Sequence, residues 1–238
     1  MKTKFTDVKF LEDKTILVKI FDYDQHKEGE KGRDIICRCL ENDRVWEPFQ
    51  TEITTEILKS TNGIFVDVGC HIGYYSILAS LLGIKSLSFD LDYDYLNLFE
   101  STKDLNNLNN IKIFNQKIDK KINTKNIIKD QKISLLKIDT GGLEFEIITK
   151  FLDFEIPYII TEISSKSKNT YIDLCKKMKD LNYRIYNIGL SPQRKLKFNT
   201  NHLDNLEKLE IDYQNLDSYI SNIKYGQTNF LFINLNYQ

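Results

Sequence analysis

Between residues 63 and 188, short runs rich in β-branched and aromatic residues alternate with longer segments of helical apolar spacing, and nothing else in the chain limits its fold as strongly. The strand-like runs are GIFVDV (63–68), SLSFD (86–90), IKIFN (111–115), ISLLKID (133–139), PYIITEI (157–163) and YRIYNI (183–188), with NFLFINL (229–235) near the end. Helical candidates at 72–82, 93–108, 122–129, 144–153 and 169–180 lie between them; another, at 50–60, precedes the series and is closed by Asn62 and Gly63. Parallel strands need crossover connections, and these lay helices over both faces of a sheet. The expected class is α/β with a mostly parallel sheet. Upstream, TILVKIFD (15–22) and DIICRCL (34–40) read as two strands joined by a polar, glycine-bearing connection. That predicts an N-terminal β-hairpin over 1–45, ahead of a main domain over 46–238.

Composition excludes several function classes. Among 238 residues, 41% are hydrophobic and 28% charged, the balance of a chain that buries an ordinary core. A net charge of -1 builds in no global attraction to nucleic acid or to an anionic membrane. The four cysteines, Cys37, Cys39, Cys70 and Cys175, have no CxxC spacing, so reduced thiols in a cytosol-like compartment are expected. The opening MKTKFTDVKF has no signal-peptide pattern, and no run of 18 apolar residues occurs. A soluble, cytoplasmic protein with no membrane partner is the expectation. Abundant Lys, Asn and Ile with scarce Ala and Pro point to AT-rich coding DNA, such as that of a large DNA virus.

Ligands of open α/β sheets bind beyond the carboxyl ends of the strands, and FVDVGCHIGYY (65–75) is the turn placed there after the first strand of the series, which is expected to end at Asp67. Tyr74 follows Gly73 where a phosphate-binding loop needs lysine, which disfavours nucleotide hydrolysis. His71 stands where a dinucleotide fingerprint needs its second glycine, which disfavours NAD. What remains is D-x-G-x-x-x-G, with Gly69 suited to a tight turn and Gly73 to close approach at a helix start. A carboxylate or a ribose fits such a loop, and Asp67 suits an ammonium group, which S-adenosylmethionine presents. About 20 residues on, at the end of the second strand, Asp90 is placed to accept from ribose hydroxyls, with Asp92 as its rival. A lone GxxxG is most often a close-packing device; the loop and the acid together, in this order, favour a cofactor.

FVDVGCHIGYYS, SLSFD, IKIFNQKI, LLKIDTGGLEFEII and IITEI, in that order, resemble the FkbM-type methyltransferases, over most of the chain from WEPF (46–49) to the last strand. The resemblance implies a Rossmann-like class I methyltransferase fold, with a seven-stranded sheet and an antiparallel C-terminal strand. It also implies S-adenosylmethionine as cofactor and O-methylation of a sugar, glycan or other small hydroxylated acceptor. By the resemblance, Asp67, Gly69, Cys70, His71, Gly73 and Tyr74 form the loop around the methionyl part, Asp90 meets the ribose, and Asn115 and Gln116 lie beside the adenine. Asp139 and Glu162 match acids facing the transfer site. Two departures stand out: Cys70-His71 replaces the usual Ala-Asn, and Gly141 stands where the family has Glu.

Methyl transfer from a sulfonium is an in-line displacement, in which positioning supplies about 7–11 kcal/mol of barrier reduction. A base that takes the acceptor's proton adds roughly 10²–10⁴-fold. Asp139 is the first candidate, followed by Glu162 and His71. Lys137, two residues earlier on the same strand, shares the face of Asp139 and brings a positive charge to it. Asp139 and Glu162 also offer hard oxygen ligands to Mg²⁺, without a clear third ligand, so no metal site is assigned. Trp46, Glu47 and Pro48 are either a lid over the cofactor or a packed helix start. Of Tyr74 and Tyr75, one is expected to face the core and the other the cleft. His26 and His202 read as surface residues.

Two other readings compete. An RNA ribose 2′-O-methyltransferase would use the lysine–acid pair, with a basic patch from SPQRKLKFN (191–199) and Lys120-Lys121. A catalytically inactive, methyltransferase-like binding module is the other, and Gly141 is the residue that raises it.

Overall fold

The computed structural model describes residues 1–119, 122–189, 195–198, 201–223 and 226–237. Two strands, β1 (Thr3–Leu11) and β2 (Lys14–Phe21), form an antiparallel hairpin. Helices α1 (Ile35–Asp43) and α2 (Pro48–Ser60) follow. The alternating series is then β3 (Ile64–Val68), α3 (Tyr74–Leu81), β4 (Ser86–Asp90), α4 (Tyr93–Leu105), β5 (Ile111–Asn115), α5 (Thr124–Ile128), β6 (Ile133–Ile138), α6 (Glu144–Phe151), β7 (Tyr158–Ser164), α7 (Lys168–Asp180) and β8 (Tyr183–Asn187). A short helix α8 (Leu216–Ser221) precedes the last strand, β9 (Gln227–Asn234).

The seven strands of the main sheet run β5-β4-β3-β6-β7-β9-β8. β3 to β7 are parallel, and β9 inserts antiparallel to both β7 and β8. The expected Rossmann-like sheet with an antiparallel C-terminal strand is therefore present. Strand order switches direction between β3 and β6, which opens a crevice beyond their carboxyl ends. Side chains alternate across the sheet. Phe65, Leu135, Ile160 and Leu231 pack with α2, α3 and the hairpin on one face, whereas Val66, Leu136, Ile159 and Phe232 pack with α6 and α7 on the other. Asp67, Lys137 and Glu162 continue the first set, so their side chains share the α2–α3 face. β3 ends at Val68, one residue beyond the expected end.

Two expectations at the N-terminus need correction. The hairpin partner of residues 15–22 is Thr3–Leu11, in which Val8 and Phe10 point inward between exposed Asp7 and Lys9. DIICRCL is helical: the Asp34 carboxylate accepts the Cys37 N–H at 2.8 Å as an N-cap, and Cys37 and Leu40, three apart, face the core. Neither hairpin nor α1 stands apart from the main core. Phe10 lies 4.8 Å from the Tyr74 ring, and the Lys19 N–H donates to Thr102 Oγ1 of α4 at 2.9 Å. His26 and His202 are half-buried instead of surface-exposed, and the His202 ring packs on Phe49 with its Nε2 2.7 Å from Glu52 Oε2. Lys120, Lys121, residues 191–194 and residue 199 lie outside the described residues. No helix among those described is long and apolar enough to cross a membrane.

Candidate active site

The glycine turn is tied to the end of β4. The N–H groups of Gly69 and Cys70 both reach the Phe89 carbonyl, and the His71 N–H donates to Asp90 Oδ2 at 2.8 Å. Asp90 Oδ1 accepts the Asp92 N–H at 2.8 Å, so one carboxylate fixes two segments of the rim. Gly69 has φ +80, and a Cβ there would come within 1.8 Å of the Asp139 carbonyl oxygen. Gly73, at φ +79, admits the Phe99 ring where a Cβ would come within 2.2 Å of it.

Beyond this turn lies a cavity of about 380 Å³, bounded by Gly69, His71, Asp90, Tyr95, Gln116 and Asp139 among others. Phe89, Ile118, Leu143 and Ile147 give it apolar walls. The His71 ring packs against Tyr95 at 3.6 Å between centroids, with Nε2 3.2 Å from Asp34 Oδ2 but without hydrogen-bond alignment. The cavity combines an apolar slot, an acid at the end of β4 and a second acid just beyond β6, within the usual size range for cofactor pockets, about 300–1,000 Å³. Those residues fit S-adenosylmethionine.

The structure brings some expected cofactor contacts together and not others. Gly69, His71, Asp90, Gln116 and Asp139 line the cavity. Asn115 turns back to donate to the carbonyls of Asp90 and Leu91, and Cys70 is buried. Tyr74 packs into the core, its hydroxyl 3.2 Å from Thr51 Oγ1. Asp67 is also buried: it accepts from Ser76 Oγ at 2.7 Å, while its Oδ1 has no partner among the described residues. Burial pushes the Asp67 carboxyl up to about 6, against the pull of Lys137.

A second cavity, of about 270 Å³, opens between the start of α2 and the carboxyl end of β7. Trp46, Pro48 and Phe49 form an apolar side; Glu47, Gln50, Asp139, Glu162 and Asn229 line it with polar groups. Among the described residues around these two cavities, Asp139 alone belongs to both. A larger cavity, of about 680 Å³, lies between the hairpin turn and α2, and its described wall includes neither the glycine turn nor the end of a main-sheet strand.

Lys137 is the buried cation beneath the site. Its Nζ is 3.2 Å from Asp139 Oδ2 and 5.1 Å from the centroid of the Tyr75 ring. Burial alone would lower its pKa; the charges of Asp139, Asp67 and Glu47 outweigh that and raise it. The Glu162 carboxylate makes no hydrogen bond or ion pair among the described residues. Burial first, then the neighbouring Asp139 and Glu144, push its carboxyl up to about 7.

Sequence reasoning left Glu47 open between lid and packing, and gave Gln50, Glu144 and Asn229 no role. Glu47, in a left-handed conformation at φ 41, accepts from Tyr75 Oη at 2.7 Å, Gln50 Nε2 at 2.9 Å and Asn229 Nδ2 at 2.7 Å. Although half-exposed by surface area, its carboxylate sits at the narrow cavity's wall, and burial raises its pKa. Both Tyr74 and Tyr75 are buried, so neither ring runs along the open cleft. Buried Glu144 holds the KIDTGGLE loop by accepting the N–H groups of Thr140 and Gly142 and the Thr140 hydroxyl, and it takes the Tyr171 hydroxyl at 2.6 Å on its other oxygen. Among the described residues no group of three or more His, Cys, Asp or Glu side chains is arranged to hold a metal ion.

Comparison with known proteins agrees with this geometry. A putative methyltransferase from Streptococcus mutans, SMU.1697c, solved in complex with SAH, superposes with a TM-score of 0.53 at 13% identity, covering 80% of this chain and 99% of that one. An rRNA methylase from Streptococcus thermophilus gives a TM-score of 0.52 at 14% identity, covering 77% and 95%. At such identities the likeness is one of fold. No curated protein matches the sequence. The family described as Methyltransferase FkbM domain matches residues 33–185, from the loop before α1 to β8, and the chain belongs to this family of S-adenosylmethionine-dependent methyltransferases.

Proposed function

We propose that the protein transfers a methyl group from S-adenosylmethionine to a hydroxyl of a small, sugar-like acceptor. The observation that carries this reading is the position of Asp139, which faces the cofactor cavity on one side and the second cavity on the other. Asp90 and Gln116 of the first cavity would hold the cofactor, which when bound would supply an activated methyl on a positively charged sulfur. The second cavity, near the lower end of the usual pocket range of about 300–1,000 Å³, has room for one ring or the terminal unit of a longer glycan. Its apolar wall of Trp46, Pro48 and Phe49 opposite polar groups suits a hydroxylated ring, which has apolar faces and a polar edge.

In this reading Asp139 would accept the proton of the acceptor's hydroxyl as its oxygen takes the methyl, whose bond to sulfur would break and leave its electron pair on sulfur. Lys137 holds the carboxylate from below, at 3.2 Å. The Gly69 turn, pressed against the Asp139 backbone, fixes the acid relative to the cofactor cavity. An RNA acceptor fits less well, because three carboxylates and no described cation line the second cavity, where a polyanion would meet repulsion.

Titration with S-adenosylhomocysteine, followed by its release from S-adenosylmethionine over a panel of hydroxylated acceptors, tests the reading. Binding with turnover is expected, and Asp139→Asn should retain binding but lose about 10²–10⁴-fold in turnover. No binding by the wild type would end the cofactor assignment, and binding without turnover of any hydroxylated acceptor would favour the inactive module.

A further inference from the structure

The second cavity, read as the acceptor site, has free hydrogen-bonding capacity weighted toward acceptors. Gln50 is 3% exposed, and its Oε1 has no partner among the described residues. The orientation of this amide is fixed chemically: its Nε2 donates to the Glu47 carboxylate, an acceptor only, and to Tyr75 Oη at 2.8 Å. The Glu162 carboxylate makes no hydrogen bond or ion pair among the described residues. Glu47 has taken three donors, which leaves one lone-pair site.

Charge points the same way. Glu47, Asp139 and Glu162 face the cavity, and no described Lys, Arg or His lines it. Among the described residues, Lys137 pairs with the lining acid Asp139 and is not itself in the cavity wall. A buried acceptor without a donor costs roughly 1–3 kcal/mol, a cost relieved when a ligand supplies the donor. A neutral hydroxyl supplies one hydrogen and no charge. An ammonium group supplies three hydrogens and a positive charge, which matches Gln50 Oε1 together with two carboxylates. Trp46 and Phe49, on the apolar side, are surfaces that also favour a cation.

Resting on that reading of the cavity, we propose that the acceptor is an amine-bearing, hydroxyl-rich ring, whose ammonium is received by Glu162, Glu47 and Gln50 Oε1 while a neighbouring hydroxyl faces Asp139. Amino sugars have this chemistry. Glu162 is then a specificity residue that touches the acceptor, and the proton of the reacting hydroxyl goes to Asp139.

The test is a binding comparison on the S-adenosylhomocysteine-loaded protein, with glucosamine, N-acetylglucosamine and glucuronic acid as probes, read by ligand-observed NMR. Glucosamine should bind about tenfold more tightly than N-acetylglucosamine, and glucuronic acid more weakly than either. Glu162→Gln should abolish the glucosamine advantage while leaving S-adenosylhomocysteine affinity unchanged, which also reports that the variant is folded. Equal or tighter binding of either comparison sugar, an advantage that persists in Glu162→Gln, or no glucosamine binding would overturn the inference. Binding is read without turnover, so loss of this preference is distinguishable from failure of the methyltransferase reading, which the cofactor titration and turnover assay decide.

Discussion

Gly69 and Asp139 are in direct backbone contact across β3 and β6: the position of a Cβ on Gly69 is 1.8 Å from the Asp139 carbonyl oxygen. The turn that shapes the cofactor cavity and the acid at the junction of the two cavities therefore move as one unit. Gly69→Ala should displace both loops, costing about 1–3 kcal/mol for overpacking and roughly 1–2 kcal/mol for the left-handed backbone. Gly83→Ala is the control, with φ +81 and no atom of the described residues within 4 Å of its Cβ. Thermal melts should show a larger drop for Gly69→Ala, and calorimetry should show loss of S-adenosylhomocysteine affinity for that variant alone.

Lys137 balances more than one carboxylate, so its removal should affect stability as well as turnover. Lys137→Met leaves Asp139, Asp67 and Glu47 without their shared counter-charge, and breaking a buried pair typically costs about 3–5 kcal/mol. The lower end is expected, because Asp67, already pushed up to about 6, relieves the strain by holding a proton. The sign follows from linkage. A carboxyl whose folded pKa is raised favours the native state at low pH, and that contribution is lost as pH rises through the folded value. The gap in denaturation midpoint between wild type and Lys137→Met should therefore widen from pH 5 to pH 8; a constant gap would show that Asp67 does not feel Lys137.

Glu162 gives a second pH signature. Its carboxyl, near 7 in the folded protein, faces Asp139, Glu144 and Glu47 as well as Lys137. The native state holds this proton more tightly than the unfolded chain, so stability from protonated Glu162 is complete below the ordinary glutamate range and disappears as pH rises through about 7. Glu162→Gln carries no such group. Its melting temperature relative to wild type should rise with pH between 5 and 8, and a flat difference would show that Glu162 is solvated normally.

The sheet was legible because its strands are short apolar runs, β-branched or aromatic, bounded by Gly, Asn, Pro or an acid, and the parallel crossovers have helical spacing. The N-terminus was harder for a physical reason. DIICRCL has too few residues for its apolar pattern to separate a strand from a helix, and it is the Asp34 N-cap seen in the structure that makes it helical. β1 carried its own signal in the alternation of Val8 and Phe10 with Asp7 and Lys9. That Gly69, His71 and Asp90 share one cavity wall could be read locally, since they follow one another along a single βαβ unit. The acceptor side could not. Glu47 takes its partners from Tyr75, 28 residues away, and Asn229, 182 residues away, and only the fold brings those three together.

Gly141, where the family has Glu, tests whether that departure matters. It lies at φ +68 with no atom of the described residues within 4 Å of where a Cβ would stand, so a Cβ there meets backbone strain but no described neighbour. The loop's amides are already held by Glu144, which accepts from Thr140 and Gly142. Gly141→Glu should therefore cost only the left-handed penalty of roughly 1–2 kcal/mol, a fall of about 2–4 °C per kcal/mol for a chain of this size. Cofactor affinity should remain within a few-fold of wild type. Glu144→Ala should do the reverse, freeing the Thr140 and Gly142 amides and the Tyr171 hydroxyl and loosening the loop that borders the cofactor cavity. If calorimetry instead finds that Gly141→Glu strengthens S-adenosylhomocysteine binding and Glu144→Ala leaves it unchanged, the loop is organised from position 141 and the role given to Glu144 is wrong.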